Sequence, residues 1–366
     1  MPPHPFSGDT PPRRAAAGEA VDMQVVECGP GDVTMPARRP VPTPAAGEVL
    51  LATRWCGLCG TDLFKLAGDD LVPGTVLGHE LVGEVAAIGP RVEGFARGDR
   101  VVVPHHVACG VCSLCRRGAD TQCAMFRENL MDPGGFAEYV LIRERAVRLA
   151  ARRLPDTLAD EAAVFMEPAA CVLRGVRHAA LPPEGGCAVV AGAGAMGLLH
   201  LLVLRATNPG LAVAVSDPVE ERLHAARNLG AAIACAPGAE LARGVAGLTD
   251  GLGADASFDT VGGAPVLSEL LGVVRPGGTA VLFAHGRPGE RAGFDVNPFF
   301  KHEQRVIGTY SGGLAEQQEA FALLASGRLD PTPLVTHRLP FSETAAAVRL
   351  ARRREALKIL LGPDLP

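Results

Sequence analysis

Four cysteines fall within one short segment in the middle of the chain, CGVCSLCRRGADTQC. They are Cys109, Cys112, Cys115 and Cys123, with the spacing C-x2-C-x2-C-x7-C. Four thiolates from one segment complete a tetrahedron around zinc and leave no position for water, which is typical of a structural site. Reduced cysteines and an iron–sulfur cluster are the alternatives. We expect a structural zinc in a lobe spanning about residues 105–125 that stabilises the fold and performs no chemistry.

A second set of possible metal ligands is spread over about a hundred residues. Cys59 lies in CGTD, His79 and Glu80 lie in GHE, and Glu167 lies in MEP. One thiolate, one imidazole and one carboxylate form a zinc site whose fourth position stays open to water or substrate. Taken singly, His79 is equally compatible with a core histidine, and Cys59 with a small buried side chain.

A nucleotide-binding motif follows. The segment CAVVAGAGAMG, residues 187–197, joins an apolar run typical of a buried parallel strand to a helical pattern. Gly192, Gly194 and Gly197 form the G-x-G-x-x-G fingerprint, which lets the backbone approach a pyrophosphate at the helix N-terminus. Asp217 ends the next apolar run, where its carboxylate would bind both ribose hydroxyls and repel a 2′-phosphate. The sequence therefore predicts NAD as the cofactor.

Composition excludes several other classes of function. The net charge is −5, without a basic run longer than Arg352, Arg353 and Arg354, so we expect no nucleic-acid partner. No run of about 18 apolar residues is present, so we expect no membrane partner. The first residues lack the apolar run of a signal peptide and suggest a disordered extension. We therefore expect a cytoplasmic protein.

The order of the motifs along the chain resembles that of the zinc-dependent medium-chain dehydrogenase/reductase family, which includes alcohol, sorbitol and threonine dehydrogenases. CGTD is followed by GHELVGEV, by the four-cysteine lobe and by GGFAEY, and the resemblance runs from about residue 20 to the C-terminus. It implies an α/β protein: a Rossmann doubly wound parallel sheet domain, plus a GroES-like, mostly β catalytic domain with a structural zinc lobe. The implied boundaries are 1–18 for a disordered extension, 19–168 for the catalytic domain, 169–311 for the Rossmann domain and 312–366 for a return to the catalytic domain.

The resemblance also implies roles at the catalytic zinc. Cys59 is the thiolate ligand, His79 the imidazole ligand and Glu167 the acidic ligand. Glu80 also approaches the metal in some relatives, so the division between the two carboxylates stays open. Asp62 resembles the acid that orients the ligand histidine.

Around this site the resemblance implies a proton relay and a substrate pocket. Thr61 has the position of the hydroxyl that carries the proton away. Phe64 stands where many relatives have a histidine at the outer end of the relay, so the proton must leave through water or a cofactor ribose hydroxyl. His105 is a pocket position, and Arg127 and Asn129 can also reach the cleft, although a surface-loop role is equally compatible with each.

Further residues are implied to contact the cofactor. These are Ala195 and Met196 in the glycine turn, Arg222 near the adenosine ribose, and Thr260, Val261, Ala284, Thr309 and Tyr310 near the nicotinamide half.

The residues and the resemblance together predict an enzyme with two zinc ions per chain. It oxidises a secondary alcohol of a polyol, cyclitol, aminocyclitol or sugar to a ketone with NAD, or catalyses the reverse reaction. A threonine-like amino alcohol or a simple alcohol is the alternative substrate. Alternatives of other classes are a non-catalytic nucleotide-binding redox sensor and a zinc-free enone reductase. The relatives form homodimers or homotetramers, and we expect one of these states here.

Overall fold

The computed structural model describes residues 22–364, so the predicted extension at residues 1–18 lies outside the described residues. The first part of the chain contains mostly short strands and short helices. Its elements are β1 (Asp22–Gly29), β2 (Val33–Pro40), β3 (Val49–Leu58), α1 (Gly60–Ala67), β4 (Thr75–Val76), β5 (Glu80–Ile88), β6 (Arg100–Pro104), α2 (Ser113–Arg116), β7 (Met131–Asp132), β8 (Tyr139–Ile142), α3 (Glu144–Leu149), β9 (Arg152–Arg153) and α4 (Asp160–Ala163).

Strands and helices alternate in the second part of the chain. Its elements are α5 (Met166–Ala179), β10 (Cys187–Ala191), α6 (Ala195–Thr207), β11 (Ala212–Ser216), α7 (Glu220–Asn228), β12 (Ile233–Cys235), α8 (Ala239–Leu248), β13 (Ala254–Asp259), α9 (Ala264–Val273), β14 (Val274–Leu282), α10 (Val296–Lys301) and β15 (Arg305–Gly308). The chain ends with α11 (Leu314–Ala325), β16 (Val335–Pro340), α12 (Thr344–Arg352) and β17 (Lys358–Gly362).

The alternating part forms a six-stranded sheet of order β12-β11-β10-β13-β14-β15, and every neighbouring pair is parallel. All five residues of β10 are buried, because strands lie on both sides of it and helices cover both faces. The strand order changes direction between β10 and β13, which opens a crevice at their carboxyl ends. This topology confirms the predicted doubly wound parallel sheet.

The other large sheet has the order β16-β17-β3-β5-β6-β9, with β8 also paired to β3. The last strand, β17, pairs antiparallel with β3, so that Ile359 lies opposite Leu58 and Leu361 opposite Cys56. The end of the chain therefore contributes to the sheet that carries the CGTD motif, and it brings Lys358 beside the first residues after β3.

Helix α5 connects the two parts of the molecule. Its first residue, Met166, packs in the same apolar cluster as Trp55 and Val82 of the first sheet and Val190 and Phe258 of the parallel sheet. A continuous core of this kind fixes the position of α5 against both sheets. Glu167, at the start of the helix, is therefore held in the region between them.

Buried charges tie the cysteine lobe to helices α5 and α11. Arg174 of α5 donates to Asp120 in the lobe (3.0 Å) and to Glu316 of α11 (3.3 Å). Asp120 also accepts from the backbone N–H of Leu314 at the start of α11 (3.0 Å). Arg177 is paired with Glu316. The lobe thereby has a fixed orientation relative to the helix that carries Glu167.

Among the helices of residues 22–364, none combines the length and apolar character that crossing a bilayer requires.

Two substitutions in the buried network should lower the free energy of unfolding by unequal amounts. Asp120→Ala should lower the free energy of unfolding by about 2–4 kcal/mol, because the buried guanidinium of Arg174 loses a carboxylate partner. Glu319→Ala removes a more exposed partner of Arg177 and should cost less than about 1 kcal/mol. Urea unfolding of the zinc-loaded protein measures both, and equal losses would contradict the structural role of the network.

Candidate active site

Three potential metal ligands meet between β3 and β5. Cys59 precedes α1 as its N-cap, and His79 and Glu80 lie at the start of β5. One ligand atom from each of the three lies within 4.8 Å of the other two. A thiolate, an imidazole and a carboxylate at this separation are a donor set that zinc prefers. The arrangement brings together three of the four ligands predicted from the sequence.

Asp62 fixes the position of the ligand histidine. Its buried carboxylate lies 3.2 Å from Nδ1 of His79 and accepts from the backbone N–H groups of Cys59 (3.0 Å) and Gly78 (3.3 Å). Burial opposes ionisation of Asp62, but His79 and the two N–H donors outweigh it, and the pKa of Asp62 is lowered. Because Nδ1 faces Asp62, Nε2 of His79 is the nitrogen that remains for a metal.

Glu80 forms a buried ion pair with a residue that the sequence analysis did not identify. The ammonium group of Lys358 lies 2.8 and 2.7 Å from the two carboxylate oxygens of Glu80, and both side chains are buried. Burial disfavours the charged lysine, but Glu80 and then Cys59 outweigh it and raise the pKa of Lys358. The sequence contained one indication of this ion pair. Lys358 begins the apolar strand KILLG, and a charged group in a buried strand needs a partner.

Glu167 approaches the same region from α5. Its buried carboxylate is not part of the group that meets within 4.8 Å, and it accepts a hydrogen bond from the thiol of Cys171 (3.5 Å). Burial raises the pKa of Glu167, the charge of His79 opposes the rise and the charge of Glu80 adds to it. Cys171, one helical turn further on, was also missed by the sequence analysis. Burial and the charge of Glu167 raise the pKa of its thiol well above the usual range.

A wall of rings extends from the metal ligands toward the cleft. The ring of His79 lies 4.6 Å from that of His105, which lies 3.7 Å from the ring of His106. Phe126 and Tyr310 continue the row at 5.3 and 6.5 Å. Burial, His79 and His106 lower the pKa of His105 well below its usual value, and its Nδ1 has no hydrogen-bond partner within the described chain. His105 therefore places a buried imidazole nitrogen without a hydrogen-bond partner beside the ligand site.

The other predicted pocket residues differ in position. The guanidinium of Arg127 lies 5.3 Å from the ring centre of Tyr310, at the outer end of the wall. The side chain of Asn129 instead closes its own turn by two bonds to the backbone of Met131 (2.7 and 3.2 Å). Phe64 is exposed and stacks on His285 of the nucleotide-binding half, with ring centres 5.3 Å apart and a 9° angle between planes.

The glycine turn begins where β10 ends. Gly192 has φ of +95°, a left-handed conformation that favours glycine, and its N–H donates to Ser216 (2.7 Å). Asp217 is buried, and its two oxygens accept from the N–H groups of Ala193 (2.8 Å) and Val219 (2.9 Å). Arg222 lies 3.8 Å from the Asp217 carboxylate. Asp217 thus fixes the glycine turn through these two hydrogen bonds, and its carboxylate lies beside that turn.

The remaining predicted cofactor residues lie at or near the same edge of the parallel sheet. Gly194 precedes α6 as its N-cap, and Ala195, Met196 and Gly197 form its first turn. Thr260, Val261, Ala284, Thr309 and Tyr310 follow the carboxyl ends of β13, β14 and β15. Thr260 donates from its hydroxyl to the carbonyl of Ala191 (2.6 Å), which ties the β13 turn to the glycine turn.

The four lobe cysteines converge as the spacing predicts. Their sulfur atoms all lie within 4.8 Å of one another, and the Cys112–Cys115 and Cys109–Cys115 sulfur distances are 3.5 and 3.8 Å. The N–H groups of Val111 and Cys112 lower the pKa of Cys109 to about 6, whereas burial and the Cys112 thiol raise the pKa of Cys115 to about 12. The cluster fits a structural zinc.

Comparison with known proteins identifies the family of the chain. The family model of the alcohol dehydrogenase GroES-like domain matches residues 45–152, and that of the zinc-binding dehydrogenase matches residues 185–326. Sorbitol dehydrogenase of Halalkalibacterium halodurans is 30% identical over 333 residues, covering 89% of this chain and 94% of that protein. The chain belongs to the zinc-dependent medium-chain dehydrogenase family.

Two further relatives agree with this membership. D-altritol 5-dehydrogenase of Agrobacterium fabrum is 34% identical over 317 residues, covering 84% of this chain and 89% of that protein. The structure of alcohol dehydrogenase TADH from Thermus sp. ATN1 superposes with a TM-score of 0.82 at 31% identity, covering 93% of this chain and 100% of that one. The predicted GroES-like and Rossmann fold class and the predicted alcohol or polyol oxidoreductase class, which acts on a small molecule, are confirmed.

Two glycines of the nucleotide turn should respond differently to alanine. A Cβ at Gly197 would collide with the carbonyl oxygen of Gly192, so Gly197→Ala should lower the free energy of unfolding by about 1–3 kcal/mol. A Cβ at Gly194 meets no atom within 4 Å, so Gly194→Ala should leave stability unchanged and weaken binding of the dinucleotide. Thermal unfolding and NADH fluorescence titration measure the two effects. A stable Gly197→Ala protein would contradict the close approach of helix and strand.

The stability of the fold should depend strongly on the ion pair between Glu80 and Lys358. Lys358→Met should cost about 3–5 kcal/mol of unfolding free energy, because it leaves a buried carboxylate without its cation. Adding Glu80→Gln should recover much of that loss, since the amide carries no charge to desolvate. The control Lys301→Met, at the end of α10, should change stability by less than about 0.5 kcal/mol. Urea unfolding that shows no recovery in the double variant would contradict the pairing.

Proposed function

We propose that this protein oxidises a secondary alcohol of a polyol, cyclitol, aminocyclitol or sugar to a ketone with NAD, or catalyses the reverse reaction. The observation that carries the proposal is the convergence of Cys59 and His79 with the unpaired imidazole of His105. The names of two relatives, a sorbitol and a D-altritol dehydrogenase, support a polyol.

The residues present fit a catalytic zinc as well as a structural one. We propose that Cys59, Nε2 of His79 and Glu167 hold the catalytic ion, because both oxygens of Glu80 already face Lys358. When bound, zinc supplies a Lewis acid that acidifies the hydroxyl of the substrate. The four lobe cysteines would hold the second ion, which gives two per chain.

Side chains of the protein orient the substrate and remove its proton. Thr61 lies in the first turn of α1, two residues after Cys59, and its hydroxyl would receive the proton of the reacting alcohol. Phe64 offers no proton acceptor, so the proton continues to water or to a cofactor ribose hydroxyl. The buried Nδ1 of His105 would hydrogen-bond a further hydroxyl of the substrate, because a buried polar atom without a partner is costly.

The proposed preference for NAD over NADP follows from the negative charge of Asp217. Asp217 lies at the end of β11 beside the glycine turn, where its carboxylate would bind ribose hydroxyls and repel a 2′-phosphate. Arg222 lies 3.8 Å from the Asp217 carboxylate, so its charge opposes that repulsion. We propose NAD as the cofactor. A redox sensor or a zinc-free enone reductase would not require the Cys59, His79 and Thr61 set.

The test is NADH formation by the zinc-replete protein with simple alcohols, linear polyols, inositols, aminocyclitols and threonine, and with NADP in parallel. Turnover of a polyol or cyclitol with NAD is expected. Turnover of simple alcohols alone, or a preference for NADP, would contradict the proposal.

Thr61→Val should lower kcat by about 100-fold or more, because proton transfer by a positioned side chain contributes that much. Zinc content, measured by atomic emission, should stay at the level of the unaltered protein. Thr332→Val, in the turn before β16, is the matched control and should keep full turnover. Unaltered turnover in Thr61→Val would remove this hydroxyl from the mechanism.

A further inference from the structure

The thiol of Cys171 is the hydrogen-bond donor to Glu167. Its sulfur lies 3.5 Å from Oε1 of the Glu167 carboxylate. The two residues are four apart on α5, a separation that places side chains on the same face of a helix. Within residues 22–364, no other side chain donates a hydrogen bond to this carboxylate. The proposed function gives Glu167 a role but leaves this thiol without one.

Burial makes the contact important for the orientation of Glu167. The residue is 7% exposed, so water solvates little of the carboxylate. A buried carboxylate depends on protein donors for its hydrogen bonds. A thiol is a weak donor, but its bond to an ionised acceptor is stronger than one to a neutral group. With Oε1 engaged by Cys171, Oε2 is the oxygen that remains for a metal.

The backbone around Cys171 is held in place on both sides. Gly312, in the loop after β15, lies against Ala170, because a Cβ at Gly312 would lie 2.6 Å from the Cβ of Ala170. Thr309, in the same loop, lies against Gly175, where an added Cβ would be 3.7 Å from Cγ2 of the threonine. Ala170 and Gly175 flank Cys171 on α5. Close packing at these two points leaves little freedom for the helix turn that carries the thiol.

The thiol itself is not placed as a metal ligand. Among residues 22–364, two groups of potential ligands have their atoms within 4.8 Å of one another, and Cys171 belongs to neither. Cys171 would therefore act on a metal only through the carboxylate that it contacts.

We propose that Cys171 is a positioning residue for the catalytic zinc: its S–H holds Oε1 of Glu167, so that Oε2 faces the ion in one fixed orientation. This inference rests on the proposed function, which assigns Glu167 as the acidic ligand, and it adds a residue to that site. Hydrogen-bond partners of metal ligands contribute about 10–100-fold to metal affinity. Without the thiol, the carboxylate would rotate more freely about its terminal bond and bind the ion less tightly.

Zinc affinity tests the role of the thiol independently of activity. Cys171→Ala should raise the Kd of the catalytic site for zinc by about 10-fold or more, because Glu167 loses its donor. The Kd is measured by competition with the chelator dipicolinate, and zinc bound per chain is counted by atomic emission. Cys171→Ser retains a donor and should recover most of the loss. Cys235→Ala, at a half-buried cysteine of the outer strand β12, is the matched control and should keep the Kd.

A double-mutant cycle identifies the group through which the thiol acts. Glu167→Ala should raise the Kd for zinc more than Cys171→Ala does, because it removes a ligand. In the Glu167→Ala background, Cys171→Ala should add no further increase. A further increase of the same size as in the unaltered protein would show that the thiol acts elsewhere and would overturn the inference.

The cobalt spectrum separates positioning from direct ligation. Cobalt is added to protein that has lost the zinc of the catalytic site and keeps the zinc of the lobe. The thiolate-to-cobalt charge-transfer band should be unchanged in Cys171→Ala, because Cys59 is the only thiolate ligand of the proposed site. The ligand-field bands should shift, because the geometry of the carboxylate changes. A charge-transfer band that loses the share of one thiolate in Cys171→Ala would make Cys171 a ligand and overturn the positioning role.

The failure of this inference differs from that of the proposed function. Unchanged zinc affinity in Cys171→Ala, with a loss in Glu167→Ala and with polyol turnover, would overturn the positioning role and support the reaction. Unchanged affinity in Glu167→Ala would overturn the assignment of the acidic ligand and with it the role of the thiol. A protein with the expected affinities that oxidises no alcohol would support the positioning role and overturn the proposed reaction.

Discussion

The buried ion pair between Glu80 and Lys358 is the constraint on which the site depends. Removing both charges from water costs several kcal/mol each, and only their close contact offsets this cost. Glu80 begins β5 beside His79, whereas Lys358 begins β17 near the end of the chain. Glu80, which lies beside the ligand His79, therefore has its cation only when the last strand pairs with β3. In this chain, the C-terminal strand β17 pairs with a strand of the first domain and supplies the cation that neutralises Glu80.

Ion pairs between residues far apart in the sequence also fix the position of helix α5. At one end of the helix Glu167 faces the ligand site, and two turns later Arg174 is bound to the lobe and to α11. The cysteine lobe thereby affects the proposed active site, because it fixes the helix that carries Glu167. Arg174 and Arg177 of α5 each have their carboxylate partners on a different element. Local sequence alone does not specify such an arrangement.

Local motifs were predictable from the sequence, and long-range partners were not. The four-cysteine lobe and the glycine turn each lie within about fifteen residues, so their spacing alone specified the geometry. Lys358 and Cys171 were missed, because their roles depend on contacts with Glu80 and Glu167. For Asn129 the sequence left both a cleft role and a surface-loop role open, and its side chain closes a local turn, as asparagine often does. The predicted boundary at residues 168 and 169 falls inside α5, a helix shared by both halves.

The proposed chemistry requires two distinct zinc sites in one chain, one closed and one open to substrate. An anomalous difference map from crystals measured at the zinc absorption edge tests it most directly. Two peaks per chain are expected, one among the four lobe cysteines and one between Cys59 and His79, with Glu167 at coordination distance from the second. A single peak, confined to the lobe, would contradict the claim and would favour a nucleotide-binding protein without a catalytic metal.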